Sequence, residues 1–283
     1  MSGALIVARY ALREAVRRRV ILVVMFLTVG FLALYALGCV VTFDQVSAIE
    51  AEGPLDDRVL AGSTLLGLSM FTILFLGAVL AVFLTLGAVR GDAERGLLQP
   101  LVVRPVGRTS LLLGRFAGAA AVCALYVALV YCAAVLITGI AGDWWPDEAV
   151  SPGLGLVVGV VVIAAISLLG SIFLSATANG IAVFMLFGAG LAAGLLGQIG
   201  DALAVDTLQD VATVSSWLLP FEALYQTGLH GLTADTSGIT GVIVELGPFG
   251  GAQEAGFGLW VWTAAYLALV GAGARLGFSR RDL

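Results

Sequence analysis

The stretch 90–115 holds the residues whose types and spacing best suit a specific task. Asp92 and Glu94 fit the first turn of a short helix, because acidic side chains interact favourably with the positive end of the helix dipole. A short helix with this pattern could insert into a groove on a soluble partner; the alternative is a helix that only rests on lipid. The apolar side of this predicted helix consists of Leu97, Leu98, Leu101 and Val102. Pro100 and Pro105 limit its length and stiffen it.

The residue inventory excludes nucleotide chemistry within this chain. All 14 basic residues are arginine, and a phosphate-binding P-loop needs a lysine to reach the nucleotide phosphates. Any ATP and Mg must therefore be bound by a partner, and we expect no cofactor, metal, catalytic residue or nucleic-acid partner here. The single histidine, His230, is expected to be a solvated loop residue. The three cysteines are expected to be small apolar helix residues: Cys39, Cys123 and Cys132.

The composition requires lipid as a solvent. Hydrophobic residues make up 60% of the 283 residues and charged residues only 12%, whereas soluble domains carry about 25% charged residues. About 20 apolar residues cross a bilayer as a helix. We therefore predict an all-α integral membrane protein, a single transmembrane domain over 20–283, with six transmembrane helices at about 20–41, 61–89, 116–140, 153–174, 181–200 and 257–276.

The distribution of charge predicts that both termini are cytoplasmic. With the N-terminus inside, 13 of the 14 arginines fall in inner segments, and Arg58 alone lies outside. The acidic residues show the reverse, with 4 of 19 inside, as expected from the positive-inside rule. The five tryptophans also fall near the predicted outer side. Exclusive use of arginine with abundant Ala, Gly and Val suggests a microbial genome rich in G and C, and so a prokaryotic cell membrane.

Three other segments have recognisable character. Residues 1–19 contain an amphipathic N-terminal helix with Arg9, Arg13 and Arg17 on one face; the alternative is a plain arginine anchor. The inner loop 175–180 is short and predicts a tight helical hairpin that turns at its Asn-Gly pair. The outer segment 201–256 is acidic and is the largest predicted soluble part, with short helices and turns in its second half.

No ionisable residue falls in the middle of a predicted span. This disfavours an ion-driven carrier, which normally keeps such residues inside its spans, and an intramembrane enzyme. Hydroxyl groups in spans commonly bond back to a carbonyl of their own helix, and we expect this here. The mid-membrane polar residues are Thr28, Ser69, Thr72, Ser167, Ser171 and Gln198.

The stretch 90–115 resembles the permease subunits of ABC-2 type ABC transporters, including the NosY-like members. Their loop after the second span carries a pattern close to E-x-G-T-L-x-x-L-x-x-x-P-x-x-R, with Leu97 here replacing the threonine. The stretch 219–225 and the basic C-terminus 278–283 also resemble family sequences. The residues that match the loop pattern are Glu94, Gly96, Leu98, Leu101, Pro105 and Arg108.

The resemblance implies a permease subunit that has no enzyme activity of its own and pairs with a second permease copy. Each copy would dock a cytosolic ATPase, with residues 1–19 as the connecting helix. Gly190 and Gly194 have a spacing that permits close helix contact, within the chain or at the dimer seam. The implied function is export; the alternative is a non-transporting membrane scaffold or transmitter. The implied ATPase-coupling residues are Asp92, Glu94, Arg95, Gly96, Leu97, Leu98, Leu101, Pro105 and Arg108.

Overall fold

The computed structural model describes residues 19–48, 56–86, 108–232 and 256–279. Within these ranges all regular secondary structure is helical, and there are no strands. The eight helices are α1 (Arg19–Ala48), α2 (Asp57–Thr85), α3 (Arg108–Gly142), α4 (Val150–Phe173), α5 (Ala176–Leu203), α6 (Asp206–Leu218), α7 (Pro220–His230) and α8 (Phe257–Ser279).

Six of these helices are long and apolar enough to cross a membrane, namely α1 to α5 and α8. The prediction of six spans is therefore confirmed. We call the two ends of each span inner and outer according to the predicted orientation. The prediction placed residues 108–115 in the inner loop, but α3 already includes them, so Arg108 and Arg115 lie on a helix.

The inner connection between α4 and α5 differs in detail from the prediction. The tight helical hairpin is present, but Leu174 and Ser175 alone connect the two helices, and the predicted turn at Asn179-Gly180 is wrong. The Oγ of Ser175 accepts a hydrogen bond from the amide of Ala178 at 3.4 Å and so starts α5 earlier. The side chain of Asn179 bonds to α4, and this tertiary contact overrides the local turn preference of the Asn-Gly pair.

Helices α2 and α4 form the centre of the bundle. We compare the buried fraction of an apolar 18-residue stretch in each span. This fraction is 67% in α2 and 61% in α4, but only 17% in α1 and in α8. Helix α4 contacts α2, α3, α5, α7 and α8, whereas α1 packs against α2 and α3. Close packing needs small residues at the crossings, and Gly77 of α2 admits the side chains of Val127 and Val160.

The hydroxyl groups inside the bundle behave largely as predicted. Thr28, Ser69, Thr72 and Ser171 each donate to a carbonyl three or four residues earlier in their own helix, at 2.7–3.2 Å. Two further pairs tie α1 to α3: Thr28 with Tyr126 at 2.6 Å and Tyr35 with Thr138 at 2.5 Å. Ser167 and Gln198, in contrast, bond to other helices.

Helices α6 and α7 form a pair that we call the outer hairpin, and it turns back into the bundle. Helix α6 runs beside α5 in the reverse direction, because Gly200 contacts Leu208 and Gly197 contacts Ala212. The side chain of Leu219, at the turn into α7, reaches Gly190, deeper in α5. The hairpin therefore enters between the spans from the outer end.

Helix α7 returns outward along α4. Phe221 lies next to Gly159, Leu224 next to Gly155, and Gly228 next to Pro152. Gly159 is nine residues beyond Val150, or about 13 Å at 1.5 Å per residue, so the tip of the hairpin reaches that depth. From its acidic composition, all of 201–256 is predicted to be a soluble outer segment. That assignment is wrong for α7, whose residues are mostly buried.

Candidate functional site

Most of the predicted site residues lie outside the described residues. This holds for Arg9, Arg13 and Arg17 and for the coupling residues from Asp92 to Pro105. Arg108 is the first residue of α3. The chain leaves α2 at Thr85 and re-enters the bundle at Arg108, and α2 and α3 pack against each other. The predicted coupling stretch is thus held at both ends by two adjacent spans.

A hydrogen-bonded cluster lies directly beside the point where α2 ends. We call Thr85, Ser167 and Asn179 the inner polar cluster. Thr85 Oγ1 donates to Ser167 Oγ at 2.7 Å, and Asn179 Nδ2 donates to the carbonyl of Ser167 at 2.9 Å. All three side chains are buried. The cluster therefore joins the inner ends of α2, α4 and α5.

Asn179 fits into α4 because Gly170 has no side chain there. Even a methyl group at Gly170 would collide with Asn179 Oδ1. That oxygen is buried and has no hydrogen-bond partner among the described residues. Asn179 Nδ2 also donates to Ser167 Oγ at 3.4 Å. Because a buried polar atom without a partner is costly, the two bonds from Nδ2 must offset this cost for the arrangement to persist. Sequence reasoning missed Thr85 and Asn179, although Ser167 was recognised as a polar residue inside a span.

An apolar groove of about 600 Å³ opens beside this cluster, between the inner end of α2 and α5. Its walls are almost entirely hydrocarbon, so it can accommodate apolar groups but cannot bind an ion. The lining residues are Val82, Phe83, Leu86, Ala176, Thr177, Gly180, Ile181, Phe184 and Met185.

A second polar cluster lies near the tip of the outer hairpin. We call Glu222, Gln226 and Gln198 the outer polar cluster. Gln226 Nε2 donates to Glu222 Oε1 at 2.8 Å, and Gln198 Nε2 donates to Gln226 Oε1 at 3.1 Å. Glu222 is 6% exposed. Burial raises the pKa of the Glu222 carboxyl, and the hydrogen bond from Gln226 opposes part of that rise.

Gly190 and Gly194 are covered by this hairpin within the same chain. The ring of Phe221 lies against Gly190, and the carboxyl of Glu222 lies against Gly194 so closely that a methyl group would not fit. Phe221 also stacks on Phe187 of α5, with ring centroids 5.6 Å apart. The small residues thus provide close packing within the chain, one of the two roles expected for them.

The outer hairpin is also attached to α8. Trp217, near the end of α6, meets Trp262 with ring centroids 4.9 Å apart, and the indole N–H of Trp262 donates to the carbonyl of Trp217 at 3.0 Å. The hairpin is therefore held by α4, α5 and α8 together. Cys39, Cys123 and Cys132 lie on α1 and α3 and are unpaired, as the sequence indicated.

Comparison with known families decides what kind of molecule this bundle is. The sequence matches the family model described as ABC-2 family transporter protein over residues 5–283, almost the whole chain. The chain belongs to the ABC-2 transporter family. The resemblance seen in the sequence is thereby confirmed for the family. No curated protein matches the chain significantly.

Membership of the ABC-2 family, together with six spans, makes this a multi-pass membrane protein consistent with a transporter permease. The family match includes both the leading residues and the predicted coupling stretch. Sequence reasoning noted 219–225 as similar to family sequences but assigned no role to Glu222, which the fold brings between the spans.

Proposed function

We propose that this ABC-2 family chain is the permease subunit of an ATP-driven exporter in a prokaryotic cell membrane, working with a separate cytosolic ATPase that binds ATP and Mg. The family match over residues 5–283 carries this proposal. The absence of lysine supports the separate ATPase, since a P-loop cannot be formed within this chain.

The position of the stretch 87–107 supports a coupling role for it. It connects the inner ends of α2 and α3, and the inner polar cluster ties the end of α2 to α4 and α5. A displacement imposed on this stretch by an ATPase would therefore act on four spans. Coupling between distant sites needs such a contiguous set of packed and hydrogen-bonded elements.

A second copy of the permease is part of the same proposal. Helices α1 and α8 are the least buried spans of the single chain, so each has a wide apolar face for lipid or for another copy. Site-specific cross-linking between copies at exposed positions of α1, such as Phe26 and Leu34, tests pairing. Absence of cross-links from both α1 and α8 in native membranes would contradict it.

The central experiment is co-purification with a cytosolic ABC ATPase, whose gene we expect to lie beside the gene for this chain. We expect the wild-type chain to retain the ATPase and the double variant Glu94→Arg with Leu98→Glu to lose it. Glu94→Arg reverses the charge of one predicted contact, and Leu98→Glu replaces the apolar side chain of another by a charged one. The control is Glu148→Arg, an exposed residue on the predicted outer side.

The outcomes separate the parts of the proposal. If the double variant still retains the ATPase, the coupling assignment is wrong. If labelling of Glu94→Cys by an impermeant reagent succeeds from outside sealed cells, the docking surface faces away from ATP and the permease proposal fails.

A membrane scaffold or transmitter that moves no substrate is the alternative. Both functions predict ATPase binding, so transport itself must distinguish them. Reconstitution of the complex in proteoliposomes should give ATPase activity that a transported compound stimulates. Stimulation only by an outer protein partner, without movement of any solute or lipid, would favour the alternative.

A further inference from the structure

Glu222 has an unusual environment for a carboxyl group. It lies in the first turn of α7, near the tip of the outer hairpin, where α7 is inserted between α4 and α5. One carboxyl oxygen lies directly against the backbone of Gly194, which leaves no room for water on that side. A charged group in such a place must be paired or lose its charge.

Among the described residues, no cation lies close enough to Glu222 to pair with it. Helix α2, whose Met70 contacts Gly228 of α7, has Asp57 and Arg58 only at its outer end, and Arg58 is 12 residues, or about 18 Å, beyond Met70. Helix α4 has no titratable side chain, and α5 has only Asp201 at its outer end. In α6 the titratable groups are Asp206 and Asp210, both exposed, and α7 itself adds Tyr225 and His230. Helix α8 contributes Tyr266 and Arg275, and Arg275 is 18 residues, or about 27 Å, inward from Phe257. The connection between α3 and α4 adds Asp143, Asp147 and Glu148. The amides of Asp147 and Glu148 bond to the carbonyls of Leu232 and Gly231, beyond the outer end of α7.

The hydrogen bonds at Glu222 also fit a neutral acid. A carboxylate can accept about four hydrogen bonds. Within the described part of the chain, the Glu222 side chain accepts one, from Gln226. Glu222 lies at the N-terminal end of α7, where the positive end of the helix dipole stabilises its ionised form. The dipole of one short helix offsets only a small part of the free energy needed to bury an unpaired charge.

A polar path leads from this carboxyl to the outer surface of the bundle. Gln226 bonds both to Glu222 and to Gln198, and Gln198 is only half-buried on α5. The remainder of the tip is apolar, with Phe221 and Leu224 buried beside it. A proton that Glu222 exchanges with the outer medium therefore passes along the side of the tip that Gln226 and Gln198 line.

We propose that Glu222 is a proton-binding site: as a neutral acid it holds the outer hairpin between α4 and α5, and loss of its proton to the outer medium releases the hairpin. The sign of the pH dependence follows. Because the pKa of Glu222 is raised in the packed hairpin, packing is most stable in acid and weakens as pH rises. Packing stability is lost between a pH of about 4.3, the pKa of an exposed glutamate, and the raised pKa of Glu222 in the packed hairpin. Within this window the population of released hairpin grows about tenfold per pH unit.

Infrared difference spectroscopy of the full chain in lipid nanodiscs tests the protonation state directly. At a pH above about 4.3, the pKa of an exposed glutamate, and inside the window above, the wild-type chain should show the carbonyl-stretch band of a protonated carboxylic acid, shifted in D₂O and lost in Glu222→Gln. The matched control is Glu148→Gln, an exposed carboxyl near the other end of α7, which should leave the band unchanged. The absence of a band that depends on Glu222 would overturn the proposal.

Hydrogen exchange of the α7 amides, measured by mass spectrometry and corrected for the intrinsic effect of pH, tests release. In the wild-type chain and in Glu148→Gln we expect exchange to rise about tenfold per pH unit within the window above. In Glu222→Gln it should not depend on pH. A wild-type profile as flat as that of Glu222→Gln would overturn the proposal. Both measurements use this chain alone, so their outcome is independent of ATPase binding and of transport.

Discussion

Gly155 is the position where the smallest possible change should most clearly disturb the fold. A methyl group at Gly155 of α4 would lie 2.7 Å from the backbone carbonyl oxygen of Leu224 in α7. That is more than half an ångström inside ordinary contact distance, and the obstacle is backbone, which cannot move away by a rotamer change. Leu224 is itself fully buried, so α7 can yield only by shifting as a whole.

The expected size of the effect follows from two opposing terms. Overpacking of a well-packed core costs about 1–3 kcal/mol. Replacing glycine by alanine within a helix returns about 0.8–1.0 kcal/mol. We therefore expect Gly155→Ala to destabilise the protein by about 0–2 kcal/mol, measured by reversible unfolding in mixed micelles.

Gly188→Ala is the matched control for this prediction. Gly188 is also inside a span, on α5, and nothing lies within 4 Å of the position where its Cβ would be. Only the helix-propensity term applies, so this variant should be as stable as the wild type or more stable by up to about 1 kcal/mol. Equal effects of the two substitutions would refute the close approach of α7 to α4.

Two further variants test the hydrogen bonds between spans. Thr85→Val should lower stability by about 0.5–1 kcal/mol more than Thr72→Val in the same unfolding assay. Both hydroxyls contact carbonyls of their own helix, but only that of Thr85 also bonds to another span, at Ser167. A double-mutant cycle of Tyr35→Phe and Thr138→Val should give a coupling free energy of about 0.5–1 kcal/mol. Additive effects would mean that this pair does not hold α1 to α3.

The spans could be predicted from the sequence because bilayer thickness fixes their length and apolar character together. Helix α7 could not. It is too short to cross the membrane, and Glu222, Gln226 and Thr227 give it the mixed composition of a surface helix. Its burial depends on Gly155, Gly159 and other distant glycines, and hydropathy along the chain does not record which distant residues meet.

The inner polar cluster was hidden for a related reason. Asn179 precedes Gly180, and an Asn-Gly pair locally favours a turn. The side-chain amide of Asn179 is instead positioned by its contacts with Ser167 and Gly170 of α4. The coupling stretch is the opposite case. Its prediction comes entirely from residue pattern and family resemblance, and it remains a prediction.

The two-residue connection between α4 and α5 limits how these helices can move. Leu174 and Ser175 are too few to let the inner ends separate, and Asn179 fastens them further. At the opposite end the outer hairpin is wedged between the same two helices. The two helices can therefore separate or approach each other only at their outer ends. With the orientation predicted from the charges, any passage that α4 and α5 border must widen first at its outer end.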